Sequence, residues 1–560
     1  MKPLLRAPPF PGAAPGAAAV GVAAPPRDSS DIDSDRLRAL AAAIVAHRVG
    51  GSFWGRAIVP PPDFATLIAA DTVAEARTLA AQAAGDPATM LVLLPDATAR
   101  EIDGVVVATG EIDPWPLLAR TARLHADAAG EIALLALMAG IPVHCPRHGP
   151  LLPGTTAADA ALARGAARRL FGPVSYRDPY SGAPMEAEDA VAQLGFWRET
   201  IEANRGVAAG AGIAAWKRRE VAAMLWDGRP VPLRGFARAR PAVAAAARGG
   251  GAVAVWPSRV PTGLGDAAAR AAVPVWCVED GFVRSVGLGS GLHPPLSIVL
   301  DRAGIHFDPA HPSDLETILA ETDFTADLIA RAERLAARIV QAGISKYAVG
   351  RAGAPPVPQD GRRVVLVPGQ VEDDLSVRRG GGAVAGNLDL LRRVRAAEPD
   401  ARLLFKPHPD VLAGHRKGHV PDADALAFAD AIVRDTPMAA LFDRVDAVHV
   451  LTSLAGFEAL LRGREVVTHG GPFYAGWGLT RDLAGPYPRR TRRLTLPELV
   501  AGAMILYPRY LDPVTMLPCP PEILLDRLTA QAMPAPTLLT RLRAWQGRLR
   551  GPRRMVRSAA

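Results

Sequence analysis

The feature that most constrains this chain is a rhythm repeated through its second half: a short apolar run, a polar or Gly/Pro-rich turn, then a helical pattern. The runs at 253–256, 275–278, 364–367, 403–405, 447–451 and 466–468 are too short for helices and rich in apolar, often β-branched residues. Between them lie stretches such as 387–397, where leucine and valine recur at helical spacing. Strand, helix, strand in that order builds βαβ units, whose crossover helices make the strands run parallel. Such sheets bind ligands outside the carboxyl ends of their strands. The polar clusters of the sequence fall at those ends, so their placement itself marks a site.

A chain of 560 residues exceeds a single core and predicts two to four domains. Apolar residues near half, with 21% charged, describe a soluble globular protein. Cys145, Cys277 and Cys519 are far apart, match no metal-ligand spacing and read as reduced cytosolic thiols. The net charge of +8 is carried by arginine, with only five lysines: Lys2, Lys217, Lys346, Lys406 and Lys417. Where arginine is used so freely, a lysine stands out. The basic balance suits sugar acids, phosphates or lipid headgroups, and no nucleic-acid motif is present, so nucleic acid is excluded as a partner.

Residues 1–34 are rich in Ala, Pro and Gly, with prolines that interrupt any signal-peptide core, and are expected to form a disordered leader. The longest apolar run, 132–145, is too short to span a bilayer. The expected location is cytoplasmic, at most peripheral on the inner face of a membrane.

The chain also echoes itself. Asp178-Pro179-Tyr180 through Pro184 resembles Asp512-Pro513-Val514 through Pro518, an offset of 334, and Gly130-Glu131 through Val143 resembles Gly456 through Val466, an offset of 326 at Gly130. Residues 35–200 then correspond to the end of 361–535. The expected organisation is a half-module at 35–150, a connecting segment at 151–204, a front lobe at 205–355, a second lobe at 356–515, and a C-terminal helix with basic tail at 516–560.

Four clusters could carry chemistry. Glu279-Asp280-Gly281 follows a strand; on extended backbone adjacent carboxylates point opposite ways, so one can face a cleft while Arg284 holds the other or an anionic substrate. Gln370-Val371-Glu372-Asp373-Asp374 follows another strand, and three adjacent carboxylates repel unless cations or a proton offset them. In Lys406-Pro407-His408-Pro409-Asp410 the prolines stiffen the loop that aims the imidazole, and Lys406 offers a point charge for phosphate or carboxylate. Thr452-Ser453 opens the helix containing Glu458, where hydroxyls and unpaired backbone N–H groups suit a phosphate. The loop Pro472-Phe473-Tyr474-Ala475-Gly476-Trp477 either packs on a base or sugar or caps the core. No Walker loop, metal cluster, GxSxG or dinucleotide fingerprint is present.

Taken in order, these motifs resemble the capsule polysaccharide biosynthesis and export family, the KpsC/KpsS-type β-Kdo transferases. The resemblance runs through Val253-Ala254-Val255-Trp256, the EDGFVRSVGLG stretch at 279–289, 295–301, 304–308, Ile344-Ser345-Lys346-Tyr347, 370–376, 406–410, 452–458 and 472–480. It covers residues 200–515, and 100–200 more weakly. The acidic-acidic-Gly, His-Pro and Ser/Thr elements are also similar to those of bacterial sialyltransferases, which use CMP-linked ulosonic acids.

The resemblance implies an α/β, GT-B-like fold: two Rossmann-like doubly wound lobes in the main module, plus an N-terminal degenerate Rossmann-like half-module. It implies transfer of Kdo from CMP-β-Kdo, with retention, to a lipid-linked acidic sugar. Partners would be that donor, that acceptor, the inner leaflet and the capsule assembly proteins. Retention requires an enzymic nucleophile and then the acceptor's attack. By motif position Asp374 is the nucleophile, with Asp373 the close alternative, and Glu279 and Asp280 serve acid–base duty and positioning. Lys406, His408, Thr452 and Ser453 would hold the cytidylate phosphate, with Gln370 and Glu458 beside them on the donor side. Arg284, Ser285 and Lys346 would lie on the acceptor side. A monophosphate leaving group makes little demand for a divalent ion, so no metal or cofactor is expected.

Where the second copy reads Lys406 to Asp410, the first offers Val92-Leu93-Leu94-Pro95-Asp96, with leucine in place of histidine, and Asp127-Ala128 lie near the place of Thr452-Ser453. The half-module is therefore expected to be unable to bind CMP. An inverting transferase with Asp280 as general base, and a non-catalytic assembly scaffold, are the alternative readings. Finally, Leu542, Trp545 and Leu549 make an apolar helical face among seven arginines between 541 and 557, a segment suited to an anionic membrane surface.

Overall fold

The computed structural model describes residues 2–14, 20–23, 33–83, 85–95, 101–146, 149–283, 293–344, 360–414 and 416–530. Arg284, Ser285, Lys346 and the basic tail lie outside the described residues. The chain divides into two compact units. One comprises Met1–Arg205, Leu225–Pro232 and Thr515–Leu517; the other comprises Gly206–Met224, Leu233–Val514 and Pro518–Ala560.

All six strands read from the sequence form in the second unit, within two residues of their expected ends. Its all-parallel sheet runs Ala431–Ile432, Arg402–Lys406, Val364–Pro368, Ala447–Val450, Glu465–Thr468, Arg481–Asp482. The first strand in the chain lies in the middle, so the winding reverses between Val364–Pro368 and Ala447–Val450. Val364–Pro368 is buried throughout, as a strand covered by helices on both faces must be. Helix Asn387–Ala397 turns Leu390, Leu391 and Val394 onto Val365, Val367, Leu403 and Phe405, and leaves Arg392 and Arg393 in solvent.

The other sheet of this unit is mixed. Gly235–Phe236, Val207–Ala211, Ala252–Val255 and Val275–Asp280 run parallel, and Ser297–Asp301, Pro508–Leu511 and Pro518–Cys519 extend it antiparallel. The chain thus returns to the front lobe after the second lobe is complete, so the boundary expected at 515 falls earlier.

In the first unit, five parallel strands lie in the order Val105–Thr109, Met90–Leu94, Thr66–Ala69, Arg123–Ala126, Val143–Cys145. This is the winding of the second lobe: third, second, first, fourth, fifth. The echo at offset 334 has structural counterparts. In each unit a π-helical segment, Ala167–Phe171 or Ala501–Leu506, leads into a strand, Val174–Arg177 or Pro508–Leu511. In each, a tyrosine hydroxyl on that strand donates to the carbonyl six residues before it: Tyr176 to Leu170 at 2.8 Å, and Tyr510 to Met504 at 2.7 Å.

The leader departs from expectation. Leu4, Leu5 and Val20 are fully buried, and Phe10 packs edge-on against Trp197 and Trp226. Gly21–Ala23 forms a strand antiparallel to Val174–Arg177, with Gly21 opposite Tyr176. Ser297 stands opposite Tyr510 in the same way. The leader therefore supplies the strand position that the front-lobe sheet fills with Ser297–Asp301. Its composition concealed this, since few apolar residues sit among many prolines and alanines. Leu94 also differs: it ends its strand 2% exposed, at the place of Lys406 rather than His408.

The first unit is tied internally by a buried ion pair. Arg198 and Asp113 are 2% and 0% exposed and meet at 2.8 Å, and Arg198 also binds Glu202 and the Arg48 carbonyl. Arg205 lies 3.5 Å from the same carboxylate, so losing Arg198 leaves buried Asp113 a single, longer ion pair, and the cost falls toward the lower end of the about 3–5 kcal/mol of a broken buried pair. Arg198→Leu should cost about that much in chemical denaturation of the first unit, whereas Arg198→Leu with Asp113→Leu should recover most of the loss.

Candidate active site

One cavity of about 740 Å³ lies in the second unit, lined from both of its sheets. From the second lobe come Gln370, Asp373, Asp374, His408, Thr452 and Ser453; from the front lobe come Glu279 and Asp280. These residues are scattered over nearly 175 positions and meet because each ends or follows a strand at the carboxyl edge of its sheet.

The switch point is held by Gln370, which is 7% exposed. Its Oε1 accepts from the backbone N–H groups of Leu451 and Thr452, at 3.2 and 2.9 Å, while its Nε2 donates to the Thr452 hydroxyl at 2.9 Å. Its own N–H donates to Asn387 Oδ1 at 2.8 Å. Gln370 thus fixes the ends of two strands and two loops together. Ser453 caps the helix Leu454–Leu460 by accepting from the Ala455 N–H.

The acidic loop resolves its own repulsion by dividing its charges. Glu372 turns away and accepts from the Asn387 N–H at 2.8 Å. Gly386 must be glycine here, because a Cβ would stand 2.4 Å from the Glu372 carboxylate and φ is +149°. Asp373 binds Arg416 at 3.2 Å. Asp374 caps the helix Leu375–Gly380, one oxygen accepting from the Ser376 N–H and hydroxyl, with the other 3.9 Å from Arg416.

His408 caps the short helix Pro409–Leu412, its Nδ1 accepting from the Asp410 N–H at 3.1 Å. A ring nitrogen that accepts carries no proton, so the neutral imidazole holds its proton on Nε2.

On the front lobe the two acidic neighbours differ in kind. Asp280 pairs with the buried ammonium of Lys217 at 2.9 Å, and that ammonium also lies 3.6 Å over the Trp256 ring. Burial, and then the adjacent Asp280 charge, push the Glu279 carboxyl up to about 7. One carboxylate is pinned beside a cation while its neighbour holds a proton near neutrality, the division that acid–base work requires.

Two expected donor residues do not line the cavity. Lys406 ends its strand 9% exposed and donates to the Arg434 carbonyl at 3.2 Å, and burial lowers its pKa. Glu458 is 7% exposed within the helix Leu454–Leu460. The aromatic loop divides: Pro472 and Phe473 reach the cavity, whereas Tyr474 and Trp477 are fully buried and cap the core. Lys217, Trp216, Trp256, Arg259, Asp410 and Arg416 line the cavity without having been read as site residues. Lys217 carried a signal as one of five lysines, and Asp410 lies inside the His-Pro motif. Arg259 and Arg416, among 59 arginines, carried none. Among the described residues no group of three or more His, Cys, Asp or Glu side chains is placed to hold a metal ion, and no helix is long and apolar enough to cross a membrane.

Residues 251–510 match a family model described as capsule polysaccharide biosynthesis protein. The capsule polysaccharide modification protein LipA of Neisseria meningitidis serogroup A is 49% identical over 243 residues, which are 43% of this chain and 34% of LipA. The lipopolysaccharide-processing protein LpsZ of Rhizobium meliloti is 48% identical over 246 residues, 43% of this chain and 56% of LpsZ. The chain thus spans from a third to just over half the length of these relatives. The solved β-Kdo 2,4 transferase KpsC of Thermosulfurimonas dismutans is 30% identical over 57% of this chain and 98% of that one, with a TM-score of 0.50. Two α/β lobes with their carboxyl edges on one cavity are the GT-B-like arrangement that the motifs imply, and the chain belongs to the capsule polysaccharide biosynthesis protein family.

Proposed function

We propose that this protein is a retaining glycosyltransferase that moves Kdo, or a similar ulosonic acid, from its CMP derivative to a lipid-linked acidic sugar. The observation that carries the reading is the meeting in one cavity of the Asp373–Asp374 loop, the Glu279–Asp280 pair and the His408, Thr452 and Ser453 cluster. The name of the KpsC relative, a β-Kdo transferase, supports Kdo transfer, and that of LipA, a capsule polysaccharide modification protein, supports a place in capsule synthesis. In the first displacement an Asp374 oxygen attacks the anomeric carbon, the bond to cytidylate breaks, and His408 Nε2–H with the hydroxyls of Thr452 and Ser453 receives the phosphate charge. In the second, an acceptor hydroxyl attacks the same carbon, its proton passes to Asp280, and the Asp374 carboxylate leaves. In the first displacement Glu279 gives its proton to the departing cytidylate, and the proton that Asp280 takes from the acceptor in the second restores it, so the acceptor's proton ends on the cytidylate. The inner leaflet and capsule assembly proteins are the proposed surroundings.

The direct experiment is incubation of purified protein with CMP-Kdo and a lipid-linked Kdo acceptor, with the product's anomeric configuration read by NMR. Asp374→Asn keeps an equally good helix cap, so it should fold as wild type yet lose transfer by on the order of 10³-fold or more. Asp374→Ala should lose transfer and about 1 kcal/mol of stability. Mass spectrometry of wild type with donor alone should find a sugar adduct on residues 370–376. Full transfer by either variant would exclude Asp374 as the nucleophile.

A required proton on Glu279 is present below its raised pKa and lost above it. Turnover should therefore fall as pH rises through about 7, and Glu279→Gln should abolish that limb. His408→Ala, which removes one preorganised donor to the leaving phosphate, should slow transfer by about 10²–10³-fold; a loss under threefold would remove His408 from this role.

A further inference from the structure

The cavity is acidic. Asp280, Asp373, Asp374 and Asp410 line it beside Glu279, yet an acidic sugar acceptor must bring one more carboxylate into it. Such a ligand needs a cation of its own, because Coulomb repulsion between like charges a few ångströms apart reaches several kcal/mol near a protein surface.

Among the described residues, the lysines and arginines lining the cavity are Lys217, Arg259 and Arg416. Lys217 is held by Asp280 at 2.9 Å and Arg416 by Asp373 at 3.2 Å. Arg259 is exposed, and among the described residues no carboxylate lies within ion-pairing distance of it. Its position is set by the fold: it ends the short turn Pro257–Arg259 that follows strand Ala252–Val255, between strand Val207–Ala211 and strand Val275–Asp280. Gly212 makes room for it, with φ +68° and the Arg259 carbonyl 2.4 Å from where a Cβ would stand. Trp216, half-buried, lines the same wall. The ends of three neighbouring parallel strands therefore present an indole, a guanidinium and the Lys217-bound Asp280 on one side of the cavity, facing the donor-side loops.

We infer that this wall is the acceptor subsite, in which Arg259 takes the carboxylate of an acidic sugar by paired N–H···O bonds and Trp216 packs on its ring. Guanidinium and carboxylate match as planar forks, and an indole face suits the apolar face of a pyranose. The carboxylate so held leaves the attacking hydroxyl to Asp280, whose proton acceptance completes the second displacement. Arg259 thereby sets specificity for acidic over neutral acceptors. The inference rests on the transferase reading above.

The test uses the full chain, a fixed CMP-activated donor, and two synthetic acceptors: an alkyl glycoside of a ulosonic acid, and its carboxamide. Wild type should use the acid with kcat/KM about 10–100-fold above the carboxamide, the worth of a charge-assisted pair. Arg259→Gln should remove that preference, and Arg259→Lys should keep part of it. Binding of both glycosides without donor, read by tryptophan fluorescence, should show the same ratio. Hence a chain that binds the acid through Arg259 but transfers nothing defeats the transferase reading and leaves the subsite standing. Equal losses for acid and carboxamide, no loss at all, or a rise confined to the donor KM would overturn the inference, the last by assigning the guanidinium to the donor's carboxylate.

Discussion

The crowding of negative charge around one cavity is the constraint to which the rest of the site answers. Carboxylates this close repel by several kcal/mol wherever water is thinned out. They are relieved in different ways: Glu372 by a backbone N–H of the next helix, Asp373 and Asp280 by the cations Arg416 and Lys217, Asp374 by a helix N-terminus and Glu279 by keeping its proton. These are not interchangeable solutions. A capping interaction fixes one oxygen and leaves the other to the cavity, an ion pair holds its carboxylate in place, and protonation makes a donor. The different reliefs give adjacent acids different chemical abilities, which one uniform charge cluster would not have.

Those reliefs depend on where the chain reverses its winding. At the switch point the strands Val364–Pro368 and Ala447–Val450 lie side by side while their following loops diverge, opening a crevice. Gln370 spans that crevice with its amide, using both ends of the side chain against the other strand's loop. A buried amide whose donor and acceptor are both satisfied is specific in a way that apolar packing is not, because any shift of one loop leaves a polar group unpaired. The acidic loop and the Thr452–Ser453 turn are thereby held in one register.

Much of this was legible in the sequence, for a physical reason. The strands are apolar because both faces are covered, so each appears as a short run with its functional loop immediately after it. Where the function of a residue is local, as for the caps Asp374, His408 and Ser453, the motif lies within a few positions and can be seen. Lys217 and Asp280 are 63 positions apart, and only the adjacency of strands Val207–Ala211, Ala252–Val255 and Val275–Asp280 joins them. Arg259 and Arg416 were hidden in an arginine-rich background, and Lys406 misled because a lysine at a strand end can turn to a carbonyl as readily as to a ligand. The order of the leader is not legible in its sequence, because a few buried leucines suffice to order a segment whose average composition is that of a disordered one.

The two units separate what the scaffold needs from what the site needs. Both keep the strand order, the π-helical segment and the tyrosine clasp, features that satisfy backbone groups and bury apolar area irrespective of ligand. The loops differ where a ligand would be met. Leu94, 2% exposed at the end of its strand, contributes only packing, whereas the corresponding strand in the second unit runs on into the His408 cap and the cavity. After Thr66–Ala69 no carboxylate loop like 372–374 follows, and the first unit has no need of an amide bridging its switch point. A site of crowded acids is costly to hold open and is stable only with all its counter-charges. In the first unit, where no such acidic loop follows Thr66–Ala69, the clasped sheet stands without them.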